Sequence, residues 1–136
     1  MLLVDTNVLV DVLEKDPDWK DWSLRQLQHQ SQVHELAINP IVYAELSLAF
    51  DSTADLDARV LDQMRISFRE IPRGALFLAG RAFAKYRGLG GAKANVLPDF
   101  FVGAHAAVLG CGILTRDARR YRNYFPKVTL ISPDAS

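Results

Sequence analysis

Hydrophobic and polar residues change their period within the first ten positions of the chain. Leu2 to Val4 form a short apolar run typical of a buried strand, and apolar residues from Val8 onward recur at helical spacing. The pattern predicts a strand, a tight turn and then a helix. Asp5 lies at the change of period, so we expect its carboxylate at the carboxyl end of the strand. Open α/β sheets bind ligands at that end, although an Asp there is also a common helix cap.

The same alternation of short apolar runs and longer helical patterns continues along the chain. Further strands are predicted at 35–40, 66–72, 112–115 and 128–131, and helices at about 17–32, 41–50, 52–64, 74–86 and 97–110. Alternation of this kind favours a parallel sheet covered by helices on both faces. We therefore expect one domain over residues 1–136, with an α/β fold built as a three-layer α/β/α sandwich around a central sheet of about five strands.

Composition limits the class of protein without indicating a specific chemistry. Hydrophobic residues make up 49% of the chain and charged residues 24%, as in ordinary globular proteins. The single cysteine, Cys111, excludes an internal disulfide and fits a reducing compartment. The apolar start lacks a basic leader, and no apolar run is long enough to span a membrane, so we expect a cytoplasmic protein. His105 has no second His or Cys at ligand spacing, which argues against a zinc site.

The net charge of zero hides an asymmetry along the chain. Residues 1–64 contain four Lys/Arg and twelve Asp/Glu, a net charge of −8, and residues 65–136 contain twelve Lys/Arg and four Asp/Glu, a net charge of +8. The basic half includes a short basic and aromatic segment at 119–126. An anionic partner is one explanation. The other is that both signs of charge mix on the folded surface.

Three further acidic residues resemble Asp5 in their context. Glu45 is the only charged residue of its predicted helix, and Asp99 is the only acid of its own. Asp117 follows the predicted fourth strand as Asp5 follows the first. Each also has a structural explanation, namely an exposed helix edge for Glu45, the helix dipole for Asp99 and a turn for Asp117.

A parallel sheet would bring these four acids to one edge, because its strands end there and the following helices start there. Carboxylates placed together repel one another, and a hard divalent cation such as Mg²⁺ resolves that conflict. Such a site suits in-line attack of water on a phosphodiester, and basic residues would neutralise a nucleic acid backbone. We therefore interpret Asp5, Asp99 and Asp117 as metal ligands, with Glu45 binding a second ion or orienting the attacking water.

At these residues the sequence resembles the PIN-domain family, and specifically the VapC-type ribonuclease toxins of prokaryotic toxin–antitoxin pairs. The resemblance spans essentially the whole chain. It rests on four segments in order, LVDTNVL at 3–9, YAEL at 43–46, PDFFVGAHA at 98–106 and LTRD at 114–117. By this resemblance, the four acids match the acidic metal-binding residues of the family. Thr6, Asn7 and Thr115 match its supporting polar positions.

The resemblance also implies a strand order, an activity and partners. The order would be 3-2-1-4-5, with a cleft between the first and fourth strands. The activity would be endonucleolytic cleavage of RNA with Mg²⁺ or Mn²⁺, in a homodimer inhibited by a small VapB-type antitoxin laid across the toxin. Candidate RNA contacts are Lys93, Arg116 and Arg119. Two large aromatic residues in an otherwise polar helix, Trp19 and Trp22, are candidates for the antitoxin groove.

Two other interpretations stay open at this point. The chain could be a catalytically inactive PIN-like module that binds RNA or a partner protein, with the acids in structural roles. It could also be a phosphotransfer domain of the haloacid dehalogenase or receiver type, which likewise has an Asp after the first strand. The dehalogenase type usually has a second acid two residues on, where this chain has Asn7. No lysine follows the last strands at a receiver-like position.

Overall fold

A five-stranded parallel sheet forms the centre of the protein. The structure is a computed structural model, and it describes residues 1–91 and 96–133. The strands are β1 (Leu2–Val4), β2 (Leu36–Ile38), β3 (Ser67–Phe68), β4 (Gly112–Leu114) and β5 (Leu130–Ile131). Their order is β3-β2-β1-β4-β5, and every neighbouring pair is parallel. The predicted fold class and strand order are therefore confirmed.

Helices flank this sheet. They are α1 (Thr6–Leu13), α2 (Lys20–Gln30), α3 (Pro40–Leu46), α4 (Thr53–Leu56), α5 (Arg73–Gly88), α6 (Leu97–Leu109) and α7 (Arg119–Tyr124). The chain steps from β1 to β2 and β3 on one side, then crosses back to β4 and β5 on the other. Because such crossovers are right-handed, the helices of the two halves lie on opposite faces of the sheet. Among the described residues, none of the helices combines the length and apolar character that crossing a bilayer needs.

Strand β1 is buried on both faces and paired along both edges. Leu2, Leu3 and Val4 each expose 2% of their surface or less, and β1 pairs with β2 on one side and β4 on the other. Parallel strands covered on both faces are continuously apolar, which explains the unalternating start of the sequence. The strand order changes direction between β1 and β4, so their carboxyl ends form the kind of crevice where open α/β sheets bind ligands.

Several elements are shorter than the hydrophobic pattern predicts. The edge strands β3 and β5 have two residues each, within the predicted ranges 66–72 and 128–131. The helix predicted at 41–50 ends at Leu46 and continues as a 3₁₀ turn, where the Ser47 hydroxyl donates to the Ala44 carbonyl at 2.6 Å. The helix predicted at 52–64 becomes α4 followed by a π-helical segment over Asp57–Gln63.

Helix α7, which the hydrophobic pattern did not predict as a helix, packs on α6 through aromatic rings. The Phe100 ring lies 5.2 Å from that of Tyr124 and 6.1 Å from that of Phe125, centroid to centroid. Gly103 lets the Phe125 ring approach α6, since a Cβ at that position would lie 2.3 Å from the ring. This packing holds α7 against α6, and α7 carries Arg120 and Tyr121, two residues of the candidate site.

Candidate functional site

Asp5 lies at the carboxyl end of β1, as the sequence predicted, and it also caps α1. Its amide donates to the Leu114 carbonyl at 2.9 Å, so the end of β4 holds the backbone of this residue. Its Oδ1 accepts the Thr6 amide at 2.8 Å in an extended conformation typical of a helix cap. The side chain is 6% exposed. Capping and placement at the sheet edge are therefore two properties of the same residue.

Two buried hydroxyl groups hold the other carboxylate oxygen of Asp5. Oδ2 accepts from Thr115 Oγ1 at 2.9 Å and from the Tyr121 hydroxyl at 2.8 Å. Tyr121 comes from α7 and was missed in the sequence. The spacing of Tyr121, Tyr124 and Phe125 at i, i+3 and i+4 was the signal for an inward-facing helix in this segment.

Burial and hydrogen bonding act in opposite directions on Asp5. Burial raises the pKa of Asp5, the hydrogen bonds from Tyr121, Thr115 and Thr6 lower it, and the negative charge of Glu45 raises it, with a net rise above the ordinary value. The pKa of Tyr121 is raised well above 10.0 by burial and by the charges of Asp5 and Asp99. Tyr121 therefore stays protonated and donates to Asp5 at neutral pH.

Asp99 lies in the first turn of α6, where its carboxylate faces both Asp5 and an arginine. Burial and then the charge of Asp5 raise the pKa of Asp99 from 3.8 to about 6, while Arg120 lowers it and Asp117 raises it. Arg120 Nη1 donates to Asp99 Oδ2 at 2.7 Å. This ion pair is partly exposed, with 26% of the Arg120 side chain and 33% of the Asp99 side chain accessible.

Glu45 and Asp117 are the exposed acids of the set. Glu45 Oε1 accepts from Thr6 Oγ1 at 2.6 Å, which ties α3 to the first turn of α1. Asp117 Oδ1 accepts the Arg119 amide at 3.3 Å, and the Asp117 amide donates to Thr115 Oγ1 at 3.1 Å. Each carboxylate thus accepts a hydrogen bond from the protein, Glu45 from another helix and Asp117 from its own loop.

Asn7 joins the loop after β1 to the loop after β4. Its Oδ1 accepts the Arg116 amide at 3.0 Å, and its Nδ2 donates to Thr115 Oγ1 at 3.4 Å. Thr115 therefore lies between Asp5, Asn7 and the backbone of Asp117. The three polar residues singled out in the sequence, Thr6, Asn7 and Thr115, each contact an acid of the set or the loop that carries one.

The candidate RNA contacts have different surroundings. Arg116 forms a two-point ion pair with buried Asp11, through Nε to Oδ2 at 2.9 Å and Nη2 to Oδ1 at 3.0 Å. Its guanidinium also lies 5.4 Å from the Trp19 ring centroid. Arg119 is exposed beside Asp117. Lys93 lies outside the described residues.

Two further features singled out in the sequence are His105 and the pair of tryptophans. His105 is fully buried, its Nδ1 lies 3.3 Å from Asn39 Nδ2, and its Nε2 has no partner among the described residues. Burial lowers the pKa of His105, so the ring is a neutral core group. Trp19 and Trp22 meet edge to face at 6.1 Å and are both partly exposed, so their role in an antitoxin groove stays a prediction.

The charges of the four acids interact, but their side chains do not surround a common point where a metal ion could bind. Asp5 interacts with Glu45 and Asp99, and Asp99 interacts with Asp117. Within residues 1–91 and 96–133, no group of three or more His, Cys, Asp or Glu side chains is gathered closely enough to hold a metal ion. Each acid is instead bonded to a donor of the protein, as the distances above show.

The types of ligand atom in this set indicate which metal ion it could bind. The set consists of carboxylate and hydroxyl oxygens, which are the ligands that Mg²⁺ and Mn²⁺ prefer. Zinc sites typically have nitrogen and sulfur ligands instead. Burial and mutual repulsion raise the pKa values of Asp5 and Asp99, so added positive charge would be favourable there. The residues present therefore fit a hard divalent cation, provided that Asp99 gives up its contact with Arg120.

Comparison with known families gives a match over most of the chain. The model of the PIN domain matches residues 2–126. A comparison with curated protein sequences finds no relative.

Several solved structures have a similar fold over nearly the whole chain. A chain of VapBC2 from Rickettsia felis, bound to a promoter DNA fragment, has a TM-score of 0.71 and 20% identity over 98% of both chains. A chain of DNA-bound VapBC from Salmonella typhimurium has a TM-score of 0.69 and 18% identity over 97% of this chain and 98% of its own. A chain of FitAcB from Neisseria gonorrhoeae has a TM-score of 0.66 and 18% identity over both full chains.

Proposed function

Because this chain belongs to the PIN-domain family, we propose that it is a metal-dependent endoribonuclease and the toxin of a toxin–antitoxin pair. The observation that carries the proposal is the coupling of four carboxylates, Asp5, Glu45, Asp99 and Asp117, at the switch point between β1 and β4. Family membership also leaves the phosphotransfer interpretation without support.

The proposed ligands of Mg²⁺ or Mn²⁺ are Asp5, Asp99 and Asp117, with Glu45 at a second ion or at the attacking water. When bound, such an ion polarises the phosphodiester and lowers the pKa of a coordinated water. Asp5 is the most rigid of the four, because a strand end, a helix cap and two buried hydroxyls fix its position. It would therefore define where the phosphodiester is held.

Thr115 and Tyr121 have a supporting role in this proposal. Their hydroxyls donate to Asp5 Oδ2, which lowers the pKa of this carboxyl against the larger effect of burial and leaves lone pairs of its oxygens for a cation. Thr6 and Asn7 hold Glu45 and the loop after β4 in the same way. In this proposal the supporting residues orient the acids.

The partners follow from the basic C-terminal half and from the structural neighbours. Single-stranded RNA is the proposed substrate, with Arg119 the best-placed of the candidate RNA contacts because it is exposed next to Asp117. VapBC and FitAcB, with which the chain shares its fold, support a VapB-type antitoxin as the protein partner. From the resemblance to VapC-type toxins we also propose a homodimer acting in the cytoplasm. Co-purification with the product of a neighbouring gene for a short DNA-binding protein would test the antitoxin.

The experiment that tests the proposed activity is RNA cleavage by the wild type and by Asp5→Asn. In Mg²⁺ or Mn²⁺, we expect Asp5→Asn to lower the cleavage rate by about two orders of magnitude or more. Excess EDTA should have a similar effect on the wild type. Asp62→Asn, which removes an exposed acid of the π-helical segment, is the matched control and should cleave like the wild type. Full activity in excess EDTA would overturn the proposal.

The inactive RNA- or protein-binding module remains the second candidate, and one observation favours it. The guanidinium of Arg120 already neutralises Asp99, as expected of an acid with a structural role. Calorimetric titration with Mn²⁺ separates the two candidates, because an inactive module of this kind should have no measurable affinity for the ion.

A further inference from the structure

The ion pair between Arg120 and Asp99 places a cation of the protein on one acid of the proposed metal site. Arg120 Nη1 lies 2.7 Å from Asp99 Oδ2, and its guanidinium lies 5.9 Å from the ring centroid of Tyr86. Arg120 extends from α7, whereas Asp99 belongs to the first turn of α6. The contact is therefore made by a long side chain that can turn without moving a backbone element.

A cleft lies beside this pair on the surface of α7. Its volume is about 170 Å³ and its lining consists of Tyr86, Asp117, Arg119, Arg120, Asn123 and Tyr124. Aromatic faces stack on unpaired bases, guanidinium groups bind phosphates in two-point contacts, and amide side chains bond to base edges. The lining therefore has guanidinium and amide donors for a phosphate or a base edge of single-stranded RNA, with Asp117 at the boundary between cleft and acids.

Arg120 cannot keep its contact with Asp99 when a divalent cation binds the same carboxylate. A cation on the Asp99 carboxylate would compete with the guanidinium for Oδ2 and repel it at short range. Since Arg120 already lines the cleft, the nearest place for the displaced guanidinium is that cleft. A phosphate bound there would compensate the charge that Asp99 no longer supplies.

We propose that Arg120 couples metal loading to RNA binding. In the metal-free protein its guanidinium neutralises Asp99, and when a divalent cation binds, the guanidinium turns into the cleft and binds a phosphate of the RNA. This inference rests on the proposed metal-dependent function. It makes metal and RNA binding mutually favourable, because each removes an obstacle to the other.

The first test is calorimetric titration of Mn²⁺, without RNA, into the wild type, Arg120→Ala and Arg119→Ala. Both variants lose one positive charge of the cleft, but only Arg120→Ala removes the competitor of Asp99. Arg120→Ala should bind Mn²⁺ about fivefold or more tightly than Arg119→Ala. Thermal unfolding of both variants verifies the fold.

The outcomes of this titration separate the two proposals. If the wild type binds no Mn²⁺, the proposed metal-dependent function fails. If the wild type binds Mn²⁺ but Arg120→Ala binds it no more tightly than Arg119→Ala, the proposed displacement of Arg120 from Asp99 fails, and the metal-dependent function is unaffected.

The second test follows binding of a fluorescein-labelled single-stranded RNA by stopped-flow anisotropy, read before cleavage. For the wild type, Mn²⁺ should increase RNA affinity by about fivefold or more relative to EDTA. For Arg120→Ala the increase should be clearly smaller, although this variant binds Mn²⁺ more tightly. An equal increase in both proteins would overturn the role of Arg120 in the cleft.

Discussion

Arg116 and Arg120 follow β4 in the same short segment, and each pairs with an aspartate from another element. Arg116 contacts Asp11 through two nitrogens, at 2.9 and 3.0 Å, and Asp11 is 1% exposed. Arg120 contacts Asp99 through Nη1 at 2.7 Å, and about a third of the Asp99 side chain is exposed. The first pair is a two-point contact with a buried aspartate, although 31% of the Arg116 side chain is exposed, and the second is a single contact with a partly exposed aspartate of the candidate site.

The difference indicates which arginine holds the fold and which can change partners. Removing one member of a buried ion pair typically costs about 3–5 kcal/mol, because the other charge is left without compensation. Exposed pairs contribute about 0–1 kcal/mol. Asp11 also accepts from Ser23 Oγ at 2.7 Å, which fixes it further between α1 and α2. Arg116 is thus a structural residue, and Arg120 is free to exchange at little cost in stability.

The largest expected effect is the loss of stability in Arg116→Ala. This substitution leaves the Asp11 carboxylate buried, with the Ser23 hydroxyl still bonded to it. Because 31% of the Arg116 side chain is exposed, we expect the free energy of unfolding to fall by about 2–3 kcal/mol, between the values typical of exposed and buried pairs. Urea unfolding measures it, with Arg119→Ala as the control, since that arginine is exposed and three positions away. Equal stability of the two variants would show that the buried pair does not hold the fold.

The sequence singles out the four acids as candidates but does not indicate the contacts of the two arginines. Asp99 and Glu45 stand out because no other acid interrupts their helices, and β1 stands out because it is apolar without alternation. Arg116 and Arg120 have no such signature. Each is a basic residue in a basic segment, and only the tertiary position of Asp11 or Asp99 distinguishes them.

The same limit applies to other parts of the fold. The strand order came from resemblance to a family and not from periodicity, which does not specify neighbours in a sheet. Tyr121 was missed because α7 has six residues, too few for a clear helical period. Edge strands were predicted too long because a hydrophobic run does not show where pairing ends.

The second prediction concerns the other polar contact of α7 with the site. Tyr121→Phe removes a buried hydroxyl that donates to Asp5 at 2.8 Å and leaves the carboxylate with fewer donors. We expect the free energy of unfolding to fall by about 1–2 kcal/mol. Tyr124→Phe, on the same helix and partly exposed, is the control in urea unfolding and should change stability less. A larger loss of stability in Tyr124→Phe than in Tyr121→Phe would contradict the claim that the hydrogen bond to Asp5 stabilises the position of α7.

The third prediction is a pH dependence of stability in the metal-free protein. The pKa of Asp99 is about 6 in the folded state and 3.8 is its ordinary value. Between these values the folded state binds more protons than the unfolded state, so stability decreases as pH rises from about 4 to 6. After allowance for solvent screening, we expect a decrease of about 1 kcal/mol.

Urea unfolding in EDTA at several pH values measures this slope. Asp99→Asn should make the slope shallower without abolishing it, because the raised pKa of Asp5 acts in the same direction. Asp62→Asn serves as the control and should keep the wild-type slope. An unchanged slope in Asp99→Asn would contradict the raised pKa of Asp99.

The smallest expected effect is on the stability of Arg120→Ala, and it completes the comparison of the two arginines. Its partner is partly exposed and can be solvated when the guanidinium is removed, so the free energy of unfolding at pH 7 should fall by less than about 1 kcal/mol. Arg120 also lowers the pKa of Asp99, so its removal should raise that pKa further. The decrease in stability with rising pH should therefore extend to a higher pH in the variant than in the wild type. Urea unfolding in EDTA measures both effects alongside Arg116→Ala. A loss as large as that of Arg116→Ala would mean that Arg120 is a structural residue and cannot leave Asp99 for a phosphate.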